Sequence, residues 1–184
     1  MPEGYPFTTT INGVTYQFVN TEARIIQPSN GIYVFGSTSG IPVYEGTWAT
    51  TRFTTNLSDV DQKFIIPNTN VDISTISVQV QTSASDVTTT NYVEANSLVD
   101  ITSETNAYFT QETVNGEWEI YFGDGVVGNA LIDGNIVILK YVVTNGEEAN
   151  GAASFSAAAL ISGFGDITTT TMTSASGGAE AENL

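Results

Sequence analysis

Neither cysteine nor histidine occurs among the 184 residues. The first absence removes disulfides and thiolate chemistry. Together the two absences exclude Ser-His-Asp and Cys-His nucleophilic sites, the usual zinc ligand sets and the commonest general base. An enzyme built on this chain would have to work with carboxylates, hydroxyls, tyrosine or a few basic groups. Lys and Arg number only 4 against 20 Asp and Glu, a formal charge of −16. The four cations, Arg24, Arg52, Lys63 and Lys140, are scattered, so no cluster can displace counterions from a phosphate backbone or grip an anionic membrane surface. Neither nucleic acid nor membrane is expected as a partner. No apolar run is long enough to span a bilayer, and the N-terminal MPEGYPFTTT has neither the basic start nor the apolar stretch of a cleavable secretion signal. Helix-period segments longer than a turn or two are also lacking. Ala152 to Ile161, weakened by Gly151 and Gly163 on its flanks, is the best candidate for one short helix.

What is present is β pattern. In Glu117 to Phe122, Trp118, Ile120 and Phe122 alternate with Glu117, Glu119 and Tyr121, which is the period of a half-buried strand. Asn135 to Val143 is a nearly unbroken β-branched run that requires cover on both faces. Between them Gly123, Asp124, Gly125, Gly128 and Gly134 mark bends. Asn12-Gly13 suits a type I′ hairpin turn and predicts pairs Phe7 with Phe18, Thr9 with Tyr16 and Ile11 with Val14, one apolar face against one polar face. Asn115-Gly116 predicts a second type I′ hairpin, with Glu112 opposite Glu119. That like-charge pair calls for a wet face or for a cation on another chain. Arg24 to Gln27 and Ile32 to Phe35 are predicted to pair across Pro28 to Gly31, and Gly36 to Pro42 to form a loop. Val43 to Thr54 is expected as a strand with a bulge at Gly46, followed by short strands at Lys63 to Ile66 and Ile76 to Gln81. The polar stretch 83–105 offers Tyr92, Val93, Leu98 and Val99 as anchors. The fold expected is all-β, antiparallel hairpins forming a sandwich or barrel-like module. Its divisions are an N-terminal β-hairpin lobe (1–44), a main β domain (45–165) and an end (166–184) that could form a last strand and a loose acidic tail.

Asp124 between glycines after a strand reads as a turn residue, not as a catalytic or calcium-binding group. Asp59, Asp61 and Asp72 supply oxygen ligands without the spacing of a calcium loop, so they read as solvated carboxylates. Glu112, Glu117 and Glu119 include a carboxylate pair of the kind glycosidases use, set on a two-stranded ribbon instead of in a cleft. Trp48 and Trp118, with the tyrosines, suit a sugar-binding face, though core or interface packing is the commoner role. No Gly-rich loop carries a phosphate-binding Lys. No catalytic residue, cofactor or metal site is expected.

Phe64-Ile65-Ile66-Pro67-Asn68, Ile76-Ser77-Val78-Gln79-Val80, Ile120-Tyr121-Phe122-Gly123-Asp124-Gly125-Val126-Val127-Gly128 and Gly134-Asn135-Ile136-Val137 together resemble the baseplate J-like family of contractile-tailed bacteriophages, and within it the large baseplate wedge proteins. The end, Ser176-Gly177-Gly178-Ala179-Glu180-Ala181-Glu182, is similar to the segment that in this family precedes further sequence. The resemblance implies a virion structural protein of the tail baseplate, made in the host cytoplasm. Such a protein acts without catalysis, through contacts with other wedge proteins and copies of itself that rearrange on sheath contraction. It also implies that this chain is a middle module, and the charge of −16 predicts that it is monomeric or weakly associating when alone. Trp118, Glu119, Tyr121, Gly123, Asp124, Gly125, Gly128 and Gly134 are the candidate interface or structural residues. The rival reading, from another class, is an extracellular Ig-like adhesin or carbohydrate-binding module.

Overall fold

A computed structural model describes residues 1–36, 38–59, 62–95, 97 and 101–179. Asp61, Leu98, Val99 and the acidic residues from Glu180 onward lie outside the described residues. Among those described, the regular elements are strands: β1 (Pro6–Ile11), β2 (Val14–Val19), β3 (Tyr44–Glu45), β4 (Thr47–Thr54), β5 (Phe64–Ile65), β6 (Val71–Gln81), β7 (Thr89–Glu94), β8 (Ala107–Glu112), β9 (Trp118–Phe122), β10 (Ile136–Val143) and β11 (Ser156–Ala157). They form a four-stranded sheet, β11-β1-β2-β3, and a seven-stranded sheet, β4-β10-β6-β7-β8-β9-β5. The all-β expectation holds. The short helix does not, because Ala152 to Ile161 contains β11, whose Phe7–Ala157 and Thr8–Ser156 pairs lengthen the first sheet. Small residues flanked by glycine lack the apolar stripe that a helix needs to dock.

The chain divides into two compact units, Met1–Trp48 with the chain from Val142 on, and Ala49–Tyr141. In the first, β1 and β2 pair in the register read from the sequence, Phe7 with Phe18, Thr9 with Tyr16 and Ile11 with Val14. Asn12 and Gly13 turn the chain with φ of 51° and 84°, as a type I′ turn requires. Phe18, Ala149 and Ala152 form the buried centre, covered by Phe7, Ile11, Tyr16, Val43, Phe155 and Ala175, and the Phe155 ring meets Phe18 edge-on at 4.9 Å.

The second predicted pair is not built. Asn30 and Gly31 do turn with positive φ, but the only ladder is a single Ser29–Ile32 bridge among the described residues, and Ile25 is 93% exposed. Strand propensity without a neighbouring face to cover it does not make a strand. Ile161 and Phe164 close a similar turn. No strand forms from 166 to 179. That segment is instead tied back, Ala175 exchanging backbone hydrogen bonds with Gly151 and Ala152 at 2.8 Å each.

Gly46, expected as a bulge within one strand over 43–54, instead separates two strands, β3 and β4, of different sheets. With φ of 126°, any Cβ placed there would lie 2.1 Å from the Val143 carbonyl oxygen, so the chain can pass from β3 in one sheet to β4 in the other only without a side chain. Beside it the Glu45 carboxylate accepts hydrogen bonds from the Thr144 hydroxyl at 2.7 Å and from the Asn145 amide and side chain at 2.8 and 2.6 Å.

In the second unit, β10 lies between β4 and β6, and Val137, Leu139, Ile138 and Tyr141 are all buried, the two-sided cover its sequence demands. Phe53 on β4 meets Phe64 on β5 edge-on at 5.6 Å, so the two outer strands of the seven-stranded sheet approach each other and the sheet is nearly closed. Phe122 continues the aromatic core against Phe64 at 5.5 Å and Tyr92 at 5.4 Å. The β7–β8 pairing departs from the antiparallel expectation. β7 runs parallel to β8, with Val93 beside Ala107 and Glu94 beside Tyr108.

Candidate protein interface

The strands β8 and β9 position the residues singled out from the sequence, and their register differs from the one predicted. Gln111 faces Glu119 and Glu112 faces Trp118, one residue away from the Glu112–Glu119 pairing. The cause is the turn. Asn115 does not adopt positive φ while Gly116 does, at 75°. Gly116 N–H donates to the Thr113 carbonyl at 3.0 Å and Thr113 N–H to the Glu117 carbonyl at 2.8 Å. That is a three-residue loop of a type I turn followed by a left-handed glycine. The Thr113 hydroxyl supports it by accepting from the Asn115 and Glu117 amides.

A one-residue slip exchanges faces. Tyr108, Thr110 and Glu112 now share the inner face with Phe122, Ile120 and Trp118, while Phe109 and Gln111 share the outer face with Tyr121 and Glu119. Glu112 and Glu119 therefore project to opposite sides. The cation that Glu119 meets belongs to the same chain: Lys63 Nζ lies 3.3 Å from its carboxylate. On the inner face, burial, with the nearby Glu94 carboxylate, pushes the Tyr108 phenol up to about 12.

On the outer face the Phe109 and Tyr121 rings stack, centroids 5.3 Å apart and 14° from parallel. Phe109 was not singled out from the sequence. Its signal was the alternation with buried Tyr108, legible once the register is right. Beside this pair, β9 runs into the glycine turn. Asp124 Oδ1 accepts from the Val126 and Val127 amides at 2.9 Å each, and these bonds hold its carboxyl below the usual carboxylate range. Gly123 is required by close approach, because a Cβ there would lie 2.3 Å from the Gly128 carbonyl carbon. Gly125 N–H donates to the Gly128 carbonyl and Gly128 N–H to the Thr102 carbonyl, at 3.0 and 3.1 Å. Gly134, at φ 80°, donates from N–H to the Thr55 carbonyl at 2.9 Å. Gly123, Asp124, Gly125 and Gly128 thus build one folded loop, and Gly134 a separate turn before β10.

The loop and the stacked rings border an open depression of about 450 Å³ lined by Ala95, Phe109, Tyr121, Phe122, Asp124 and Val127 among others. Val127 in its lining and the adjacent Val126 are exposed. Trp118, half-buried on the inner-face side, is not part of it. Trp48 is half-buried in the first unit, where the space over Gly4 is filled by its ring. Asp72 accepts from the Ser74 amide and hydroxyl at 3.0 and 2.6 Å, a local turn, and Asp59 lies in a second turn through the Asn56 carbonyl. Among the described residues no three Asp or Glu come together as a metal ligand set. The depression offers ring faces, apolar side chains, the Ser97 and Tyr121 hydroxyls and one ionised carboxylate, groups that can bind another surface.

Residues 51–144 match the family model of the bacteriophage baseplate wedge protein gp6, third domain. This span holds β5 to β10 whole, the second half of β4, the glycine turn and the depression. The chain is also similar to the baseplate wedge protein gp6 of Enterobacteria phage T4, 31% identical over 75 residues that cover 33% of this chain and 11% of that protein. The match thus spans about a tenth of the relative's length.

Proposed function

This chain belongs to the family of the bacteriophage baseplate wedge protein gp6 third domain, and from that membership we propose that it is a non-catalytic structural module of a tail baseplate wedge. It acts by protein-protein contact within the baseplate J-like architecture, as the middle part of a larger wedge protein. Its partners are other wedge proteins and further copies of the full-length chain, and its contacts rearrange when the sheath contracts. It is made in the host cytoplasm and resides in the virion. The observation that supports the contact role is apolar surface left open in both units: Tyr121 and the Val126-Val127 tip in one, and Ile32, Tyr33, Leu160 and Phe164 in the other. Large exposed apolar groups on a strongly charged chain mark surfaces that a partner covers.

Affinity capture tests this reading. The tagged chain is mixed with purified wedge subunits of the phage that encodes it and is analysed by sedimentation. Co-sedimentation with at least one wedge subunit, lost when Tyr33 and Phe164 are both changed to Ser, is the expected result. A chain that stays separate from every wedge subunit, alone or within a longer piece of its protein, would overturn the reading.

A further inference from the structure

The depression on the β8–β9 face combines three features that point to one ligand chemistry. Its wall carries two stacked aromatic rings, Phe109 and Tyr121. Its rim carries Asp124, exposed and anchored through Oδ1 by two backbone amides, so that the carboxylate is held in place by the loop it closes. None of the chain's four basic residues lines it, and Lys63, the basic residue beside β9, is engaged by Glu119. Aromatic faces with a fixed carboxylate, inside a field of −16, are complementary to a planar cation.

We propose that this depression receives an arginine side chain of a partner protein, its guanidinium lying against the Phe109–Tyr121 rings and reaching the Asp124 carboxylate. Arginine fits better than lysine because its guanidinium is planar, stacks on rings and is weakly hydrated, so less hydration is lost on entering. A second copy of this chain fits poorly, since it brings the same net charge to the interface. An apolar side chain would fill the walls and leave the carboxylate partly desolvated without a partner. The inference rests on the protein-contact reading above and gives that contact a chemical identity.

Amide-resolved NMR titration of the full chain, at about 0.15 M salt to screen general attraction, tests it. The probes are a blocked Gly-Arg-Gly peptide and the same peptide with citrulline, the neutral isostere of arginine. The arginine peptide is expected to shift the amides of Phe109, Tyr121 and Asp124 to Val127 in a saturable way. Citrulline should bind about tenfold more weakly, the size of a cation–ring contact joined to a charged hydrogen bond. Asp124→Asn keeps Oδ1 for the Val126 and Val127 amides and removes only the charge, so it should shrink the difference between the two peptides to the part that the rings supply, while leaving the loop's amide spectrum intact. Tyr121→Ala, on the outer face, should weaken the arginine peptide independently. Equal binding of both peptides to the unmodified chain would overturn the proposal. Shifts spread over the acidic surface with no focus on these amides would do so too, as would concentration-dependent shifts there without peptide, which would assign the depression to a second copy. Failure of the peptide titration with wedge association intact removes only this inference. Arginine binding without wedge association removes the functional reading and leaves the pocket.

Discussion

Asn20 is 1% exposed and all of its amide is engaged: Oδ1 accepts from the Tyr5 amide at 2.7 Å, and Nδ2 donates to the carbonyls of Pro2 and Glu22. One side chain thus ties the start of the chain to the end of β2. Asn20→Ala strands a buried amide and is expected to destabilise the protein by about 2 kcal/mol, read as a lowered urea midpoint at unchanged slope. Asp124 acts the same way in the glycine turn, with a pH dependence of known sign. Its pKa is lowered by the Val127 and Val126 amides, so the folded state binds its proton less readily than the unfolded chain. The contribution is therefore present above the ordinary carboxylate pKa and is lost as pH falls through the lowered folded value. The Val126 and Val127 amide shifts should move together on acidification, and in Asp124→Asn they should stay flat across the same range.

At the scale of elements, glycines separate into two kinds with different expected costs. Gly46 has both a positive φ and the Val143 backbone within 2.1 Å of a built Cβ, whereas Gly134 has a positive φ and nothing within 4 Å. Gly134→Ala should cost only the left-handed strain, about 1–2 kcal/mol. Gly46→Ala must also displace the Val143 backbone and should cost more than about 3 kcal/mol. Thermal unfolding of the two variants side by side checks the order, and equal losses would refute it.

The same two-residue signal explains how far the sequence could be read. Asn12-Gly13 predicts its hairpin because both residues take positive φ and every cross-strand pair then sorts by polarity. Asn115-Gly116 presents the same dipeptide, but Thr113 stabilises a longer turn and the ladder slips by one. A signal was available: the two-residue register sets Gln111 beside Ile120 as well as Glu112 beside Glu119, and the slip relieves both. The parallel β7–β8 pair had no such signal, since Thr89 to Glu94 buries only Tyr92 and its partner lies beyond a polar stretch. The glycine turn was legible because glycine and aspartate announce a bend locally. The Phe109–Tyr121 stack was not, because it depends on register across strands.

For the whole molecule, charge and exposed apolar surface oppose each other. With 20 acidic and 4 basic residues, copies repel at low ionic strength, while the open aromatic faces attract at short range. Sedimentation of the isolated chain should show a monomer at low salt, with any association growing as salt screens the repulsion. A tight oligomer at low salt that dissociates on adding salt would mean that ion pairs hold it, contrary to the scarcity of cations. Direct placement of the chain decides the larger claim that it is a baseplate wedge module. Electron microscopy of purified virions and of isolated tails, labelled with an antibody raised against this chain, should show label confined to the baseplate end of the tail. Virions and opened tails that carry no label, from a phage whose lysate contains the chain, would contradict it.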